Sequence, residues 1–137
     1  MSFAATAPSR SPQDVSRAVI TAAMKVHSAL GPGLLESAYE ACLAYELRKA
    51  GHKVECQLVL PVVYDGVTLD IGYRMDMLVD DVVVVEIKCV EGINEVHKAQ
   101  VISYLKLSKK SLGLVINFHV VHLKDGIKRF VEGKKWK

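Results

Sequence analysis

Cysteine is scarce in this chain, and long apolar runs and a decisive excess of charge are missing. The 137 residues include three cysteines, Cys42, Cys56 and Cys89, an odd number without CxxC spacing. That argues against a disulfide framework or a zinc knuckle and suits a reducing compartment. His27, His97, His119 and His122 make no zinc pattern either, because no Cys/His ligand spacing appears and His119 and His122 fall on opposite faces of an expected strand. No segment approaches the length of a membrane span, and Met1 to Ser11 is small and polar. The chain therefore reads as cytoplasmic and soluble, with a flexible N-terminus at 1–11 and no membrane partner. Eighteen Lys and Arg against fifteen Asp and Glu leave a net charge of +3. This is too little for a polybasic nucleic-acid binder, so any basic surface must be local.

The content that is present suffices for one ordinary core: 50% of the residues are hydrophobic, which suggests a single domain over 12–133. Ser11-Pro12-Gln13-Asp14 reads as a helix start, a Ser cap followed by Pro and an acid in the first turn. The helix is expected to run to about Leu30 and to stop at Gly31-Pro32-Gly33. A second helix is expected from about Leu34 to Ala50, with Leu35, Tyr39, Cys42, Leu43 and Glu46 at helical spacing and Glu36 beside that stripe. From Lys53 the period changes to two. Val54, Cys56, Leu58, Leu60 and Val62 share one side of a strand, Asp65-Gly66 signals a hairpin, and Val67 to Val79 alternates in return. Another strand, Val82 to Cys89, follows a turn at Asp80-Asp81. A helix from about Asn94 to Lys109 and strands Leu112 to Val121 and Ile127 to Val131 complete the order ααβββαββ.

Two of these apolar strands carry charge where a buried strand should have none: Asp76 in the first, Glu86 and Lys88 in the second. Buried charges must compensate one another, neutralise, or hold a cation. Glu86 and Lys88 share a face by parity. A three-residue loop pairing Val79 with Val83 would set Asp76 opposite Glu86, whereas a two-residue loop would put them on opposite faces; the former, or an equivalent bulge, is predicted. A divalent metal site is the sharpest reading, and a structural salt-bridge cluster is its competitor. For Asp70 and Arg74, on the Asp76 face, a structural ion pair is expected rather than catalysis. The C-terminal stretch holds Lys124, Lys128, Arg129, Lys134, Lys135 and Lys137 against Asp125 and Glu132. Lys128, Arg129, Lys134 and Lys135 are the candidate phosphate contacts, against the plainer reading of a solvated basic tail at 134–137.

The order Glu36, Asp76, Glu86-Ile87-Lys88 and Gln100-x-x-x-Tyr104, on helix, strand, strand and helix, resembles the PD-(D/E)xK nuclease superfamily. Gly33-Leu-Leu-Glu36-Ser-Ala-Tyr39 is similar to the signature of its small GxxExxY proteins. His27-Ser-Ala-Leu-Gly-Pro-Gly33, Gly72-Tyr-Arg-Met-Asp76 and Leu123-Lys-Asp-Gly-Ile-Lys-Arg129 look like the same family, so the resemblance runs from about Val19 to Gly133. Met75 stands where the naming proline would be.

The resemblance implies an α+β, restriction-endonuclease-like fold with a central mixed sheet flanked by helices. It also implies a metal-dependent nuclease. Asp76, Glu86, the main-chain carbonyl of Ile87 and Glu36, directly or through water, would hold Mg2+, with Mn2+ able to substitute. Asp76, Glu86, Lys88, Gln100 and Tyr104 would form the catalytic set, Lys88 facing the phosphate and Gln100 and Tyr104 positioning the site or the strand. The implied substrate is nucleic acid, DNA ahead of RNA. With no room for a separate recognition domain, selectivity would come from loops, the basic tail or a second subunit. The resemblance allows a homodimer by analogy, since minimal folds of this kind often cleave duplexes as a pair. The alternative from another class is a catalytically silent nuclease-fold protein that binds nucleic acid or a protein partner.

Overall fold

Ser11 opens the first helix as its side chain requires, its hydroxyl accepting the Asp14 N–H at 3.1 Å with Pro12 in the first turn. The computed structural model describes residues 10–132. Along them lie α1 (Pro12–Leu30), α2 (Glu36–Lys49), β1 (Val54–Val59), β2 (Val62–Tyr64), β3 (Val67–Leu69), β4 (Arg74–Val79) and β5 (Val83–Lys88). Then come α3 (Glu95–Ser108), β6 (Leu112–Asn117), a 3-10 turn (Leu123–Gly126) and β7 (Ile127–Val131). Five strands form one sheet in the order β1-β4-β5-β6-β7. Only β5 and β6 run parallel, with α3 as the crossover between them. The sheet is therefore mixed, and helices flank it, as the expected α+β, restriction-endonuclease-like class requires.

Alternation along β5 divides the interior. Val83, Val85 and Ile87 face a core built with Val15, Val19 and Leu43 of α1 and α2, while Val84 faces the core beneath Val101 and Leu105 of α3. Both clusters are drawn from side chains almost wholly removed from water. Each fully buried Val, Leu or Ile contributes on the order of 1.5–3 kcal/mol before entropy is counted.

Several expected elements differ. The second helix starts at Glu36 rather than Leu34, and Leu35, 77% exposed, precedes it instead of joining its buried stripe of Tyr39, Leu43, Ala44 and Leu47. The two long strands around Asp65-Gly66 are each broken. Pro61 cannot donate to a ladder, and Gly72 takes φ +86, so β2 and β3 separate as a two-stranded ribbon, Val62 opposite Leu69. The strand expected to reach Val121 stops at Asn117. There the Asn117 amide folds back, its Oδ1 accepting the Val90 and His119 N–H groups and its Nδ2 donating to the Val90 carbonyl. His119 and His122 thus lie outside any strand, and Lys124-Asp125-Gly126 turns as part of the 3-10 segment.

Asn117 is 2% exposed and ties the loop after β5 to the end of β6. Gly126 passes so near that an added Cβ would stand 2.2 Å from the Asn117 carbonyl oxygen. Asn117→Ala strands buried backbone groups. It should lower the unfolding free energy by about 2–3 kcal/mol, read as an unchanged slope and a lower midpoint in urea.

Candidate active site

The predicted register between β4 and β5 is the one observed: Val79 pairs with Val83, Leu78 with Val84 and Met77 with Val85. Asp80 and Asp81, both at positive φ, make the three-residue turn with Val82. Beyond Met77 and Val85 the strands exchange side-chain contacts. The Asp76 N–H donates to Glu86 Oε2 at 2.9 Å, and the Ile87 N–H donates to Asp76 Oδ2 at 2.8 Å. Each acid thus accepts from the opposite strand's backbone. Carboxylates stabilised by N–H donors can be held close without salt-bridge partners of their own.

Glu86 is the anomalous member, 3% exposed. Its carboxyl pKa is pushed up to about 8 by burial first and the Asp76 charge second, against the opposing pull of the Asp76 N–H and of Lys88. Lys88 does not close on either acid. Its Nζ donates to Gln100 Oε1 at 2.7 Å, and Gln100 Nε2 donates to the Tyr104 hydroxyl at 3.2 Å. The ammonium is fixed by Gln100, whose amide is in turn held by Tyr104 one turn on along α3, and by its place two residues beyond Glu86 on β5. Tyr104 is nearly buried, and its hydroxyl pKa is raised by that burial and by the Glu86 charge.

Glu36 reaches the same end of the sheet from the first turn of α2. Its Oε2 accepts the Cys89 N–H at 3.1 Å, and its charge is among those that raise the Glu86 pKa. The spacing from Gly33 to Tyr39 has a mechanical explanation. Tyr39 is fully buried and stacks on Phe118 with ring centroids 4.4 Å apart. Its hydroxyl donates to the Gly31 carbonyl at 2.5 Å and accepts the Leu34 N–H at 3.1 Å. One phenol therefore pins the loop that delivers Glu36, which suits a buried tyrosine with a polar tip.

Two residues join the site without having been read from the sequence. Gln57 of β1 lies beside Asp76 and adopts φ +54, an uncommon conformation for a non-glycine residue. Its Nε2 donates to Glu40 Oε1 at 2.8 Å and to Asp76 Oδ1 at 3.3 Å. The Glu40 carboxyl pKa is raised by burial, with smaller upward pushes from Asp76 and Glu36. Glu40 stands one turn after Glu36, a spacing that was available as a signal. Gln57 gave none, since its strand reads as regular alternation. The alternation fails there: Val54 and Cys56 join the α1–α2 core, whereas Leu58 and Leu60 join the α3 core, and β4 switches likewise between Met77 and Met75. A left-handed residue in mid-strand turns the chain over and, with it, the aim of Asp76.

Other expected residues lie elsewhere. Lys128 and Arg129 of β7 line a groove of about 590 Å³ with Lys98 and Lys106 of α3, apart from the Asp76–Glu86 pair. Lys134 and Lys135 fall outside the described residues. Asp70 accepts the Gly72 N–H instead of pairing with Arg74, which has no ion-pair partner among the described residues. His27 is committed to the Val120 carbonyl and His97 to capping α3, so neither serves as a ligand. The three cysteines are free thiols.

The donor set at Asp76 and Glu86 suits a hard divalent cation. Both are oxygen donors, and Glu86 is a buried acid whose ionisation is opposed by its neighbour, so an added positive charge would relieve both. Among the described residues no three His, Cys, Asp or Glu side chains converge as a ready cage. Magnesium commonly needs only one or two carboxylates, with waters and substrate phosphate completing its shell.

Because the folded protein holds the Glu86 proton more tightly than the unfolded chain, stability in chelator should fall as pH rises from 4.5 to about 8. Thermal melting across that window should show the decline. Glu86→Gln, which cannot ionise, should flatten that part of the profile.

No helix among the described residues is long and apolar enough to cross a membrane. No curated protein and no solved structure matched the chain. The family model of the PD-(D/E)XK nuclease superfamily matches residues 13–130, a span that takes in all but the first residue of α1 and the last of β7 and includes Asp76, Glu86 and Lys88. The chain belongs to the PD-(D/E)XK nuclease superfamily.

Proposed function

We propose that this protein is a divalent-metal-dependent nuclease that hydrolyses phosphodiester bonds in DNA in preference to RNA. The observation that carries the reading is the coexistence, at one end of the sheet, of a clasped carboxylate pair and a separately oriented ammonium. Asp76, Glu86 and the Ile87 carbonyl would hold Mg2+, or Mn2+ in its place, with Glu36 assisting from α2. When bound there, such an ion would supply Lewis acidity toward a phosphate oxygen and would lower the pKa of a coordinated water.

The chain's own groups divide the remaining work. Lys88 presents a positive charge to the phosphate and offsets the charge that develops there during displacement. Gln100 holds the ammonium away from Glu86 with a directed hydrogen bond, and the Tyr104 hydroxyl steadies the Gln100 amide from its other end. Gln57, held by Glu40, keeps Asp76 Oδ1 in place while the Ile87 N–H keeps Oδ2. The basic groove between α3 and β7 offers Lys98, Lys106, Lys128 and Arg129 to the nucleic-acid backbone, where contacts position rather than specify. We further read the chain as a GxxExxY member, cytoplasmic and working as a homodimer. The role of Tyr39 in setting Glu36 supports the first of these.

The decisive assay is cleavage of labelled single-stranded, duplex and branched DNA, with RNA as control, in magnesium, manganese and chelator. Wild type should cut only with metal, and Lys88→Ala should lose activity by about 100-fold or more. Retained binding without cleavage by pure wild type would move the protein to a non-cutting, nucleic-acid-binding class.

Gln57 gives a separate test. Gln57→Gly removes the amide but accommodates the left-handed backbone, so stability should change by less than about 1 kcal/mol. Calorimetric titration with Mn2+ should nevertheless show affinity reduced by about 10- to 100-fold. Unchanged affinity would remove Gln57 from the site.

A further inference from the structure

The basic side of α3 faces β7, but another side lines a second, largely apolar groove of about 520 Å³ against β2 and the segment that joins β3 to β4. Val62, Ile71 and Tyr73 form one wall, and Val96, Gln100 and Tyr104 are among the residues of the other. The walls are open to solvent: Ile71 is 59% exposed, Tyr73 48% and Val96 74%. Such a concentration of exposed apolar surface on a small protein marks a binding surface.

The groove is continuous with the reaction site. Gln100 is at once part of its wall and the acceptor that holds Lys88 Nζ. The Tyr73 ring stands 6.5 Å from that of Tyr104, tilted by 53°, with the groove alongside both. An aromatic ring on an apolar surface, with the Lys88 ammonium at the phosphate end, is an arrangement that stacks a base while its backbone is held. A base inside an intact duplex is already stacked and paired, so it cannot enter without being extruded.

We propose that this groove takes an unpaired nucleobase next to the phosphate held at Lys88, so that the substrate class is nucleic acid with unpaired nucleotides at the cut: single strands, overhangs or flaps. The inference rests on the nuclease reading for the place of the phosphate, and its test does not depend on cleavage.

The probe is a short oligodeoxythymidylate carrying one 2-aminopurine, with a blunt duplex for comparison, titrated in chelator at low salt. Fluorescence reports stacking of the modified base, and anisotropy reports binding. Wild type should quench the 2-aminopurine and prefer the single strand. Tyr73→Ala and Ile71→Ser should each weaken single-strand binding by about tenfold while leaving duplex binding unchanged, and Tyr73→Phe should retain the wild-type affinity. Ile71→Ser serves beside Tyr73→Ala because Ile71 is exposed in the segment between β3 and β4 and is not the residue whose ring stands against Tyr104. Thermal melts establish that each variant is folded.

Wild-type affinity in both variants, or equal losses on single strand and duplex, would overturn the proposal. So would variants that change the sedimentation of the free protein while leaving nucleic-acid binding intact, since the groove would then belong to a second copy. Failure of wild type to cleave any substrate would sink the nuclease reading and leave the stacking result standing. Metal-dependent cleavage by wild type together with wild-type single-strand binding in both variants would do the reverse.

Discussion

Past Met77 and Val85, the antiparallel ladder between β4 and β5 is no longer made of backbone alone: Asp76 takes the Ile87 N–H, and Glu86 takes the Asp76 N–H. Much of the site follows from this reciprocal clasp. It satisfies backbone donors that a parting pair of strands would leave unpaired, which in a buried setting would cost about 1–3 kcal/mol each. It also fixes two carboxyl groups side by side, Glu86 buried and Asp76 half-buried, so that Glu86 has no solvent to spread its charge. The raised Glu86 pKa is the thermodynamic trace of that arrangement. A fold selected for stability alone would more cheaply place apolar side chains there.

The surrounding scaffold meets the clasp from two layers, and each attachment is a short polar contact anchored in apolar packing. On the α1–α2 side, the stacked Tyr39–Phe118 pair fixes the loop ahead of α2, and Glu36 then reaches the Cys89 N–H. On the α3 side, Tyr104 and Gln100 hold Lys88. Asn117 ties the loop beyond β5 to the end of β6, so that the strand carrying Glu86 and Lys88 is restrained on both sides. The polar groups are few because the two cores do the positioning, and a side chain held by packing needs only one directed bond to set its aim.

How much of this could be read from the sequence depends on the range of the interaction involved. The Asp76–Glu86 register was legible because it follows from a three-residue turn and the two-residue period of a strand, both local. The Asn94 start of α3 and the parity of Glu86 and Lys88 were legible for the same reason. Gln57 was not. Its left-handed backbone accompanies side-chain contacts with Glu40 and Asp76, seventeen and nineteen positions away, while as a sequence Val54 to Leu58 reads as ordinary alternation. The same long range explains the end of β6. Leu112 to Val121 is apolar enough to continue, but the Asn117 amide finds better partners in Val90. Pro61 and Gly72 were visible as breakers, yet the strong period of two masked them.

The same distinction bears on charge. A net +3 hides a division of labour on one helix of fourteen residues. Lys98 and Lys106 of α3 turn toward β7, Val101 and Leu105 enter the core, and Val96, Gln100 and Tyr104 line the side toward the ribbon. These three faces reduce the amphipathic signal that a two-sided helix would give, since apolar residues lie both inside and on the open groove. The cost of leaving Val96 and Ile71 in water, about 25 cal/mol for each Å² of apolar surface, is one that folding alone gives no reason to bear. A surface that is apolar beside the Lys88 ammonium and basic on the far side of the same helix can meet bases with one face and phosphates with the other. Rigid packing of α3 against Gly113, where Leu105 and Val101 would stand 3.2 Å from an added Cβ, keeps those two faces in fixed relation to the clasp.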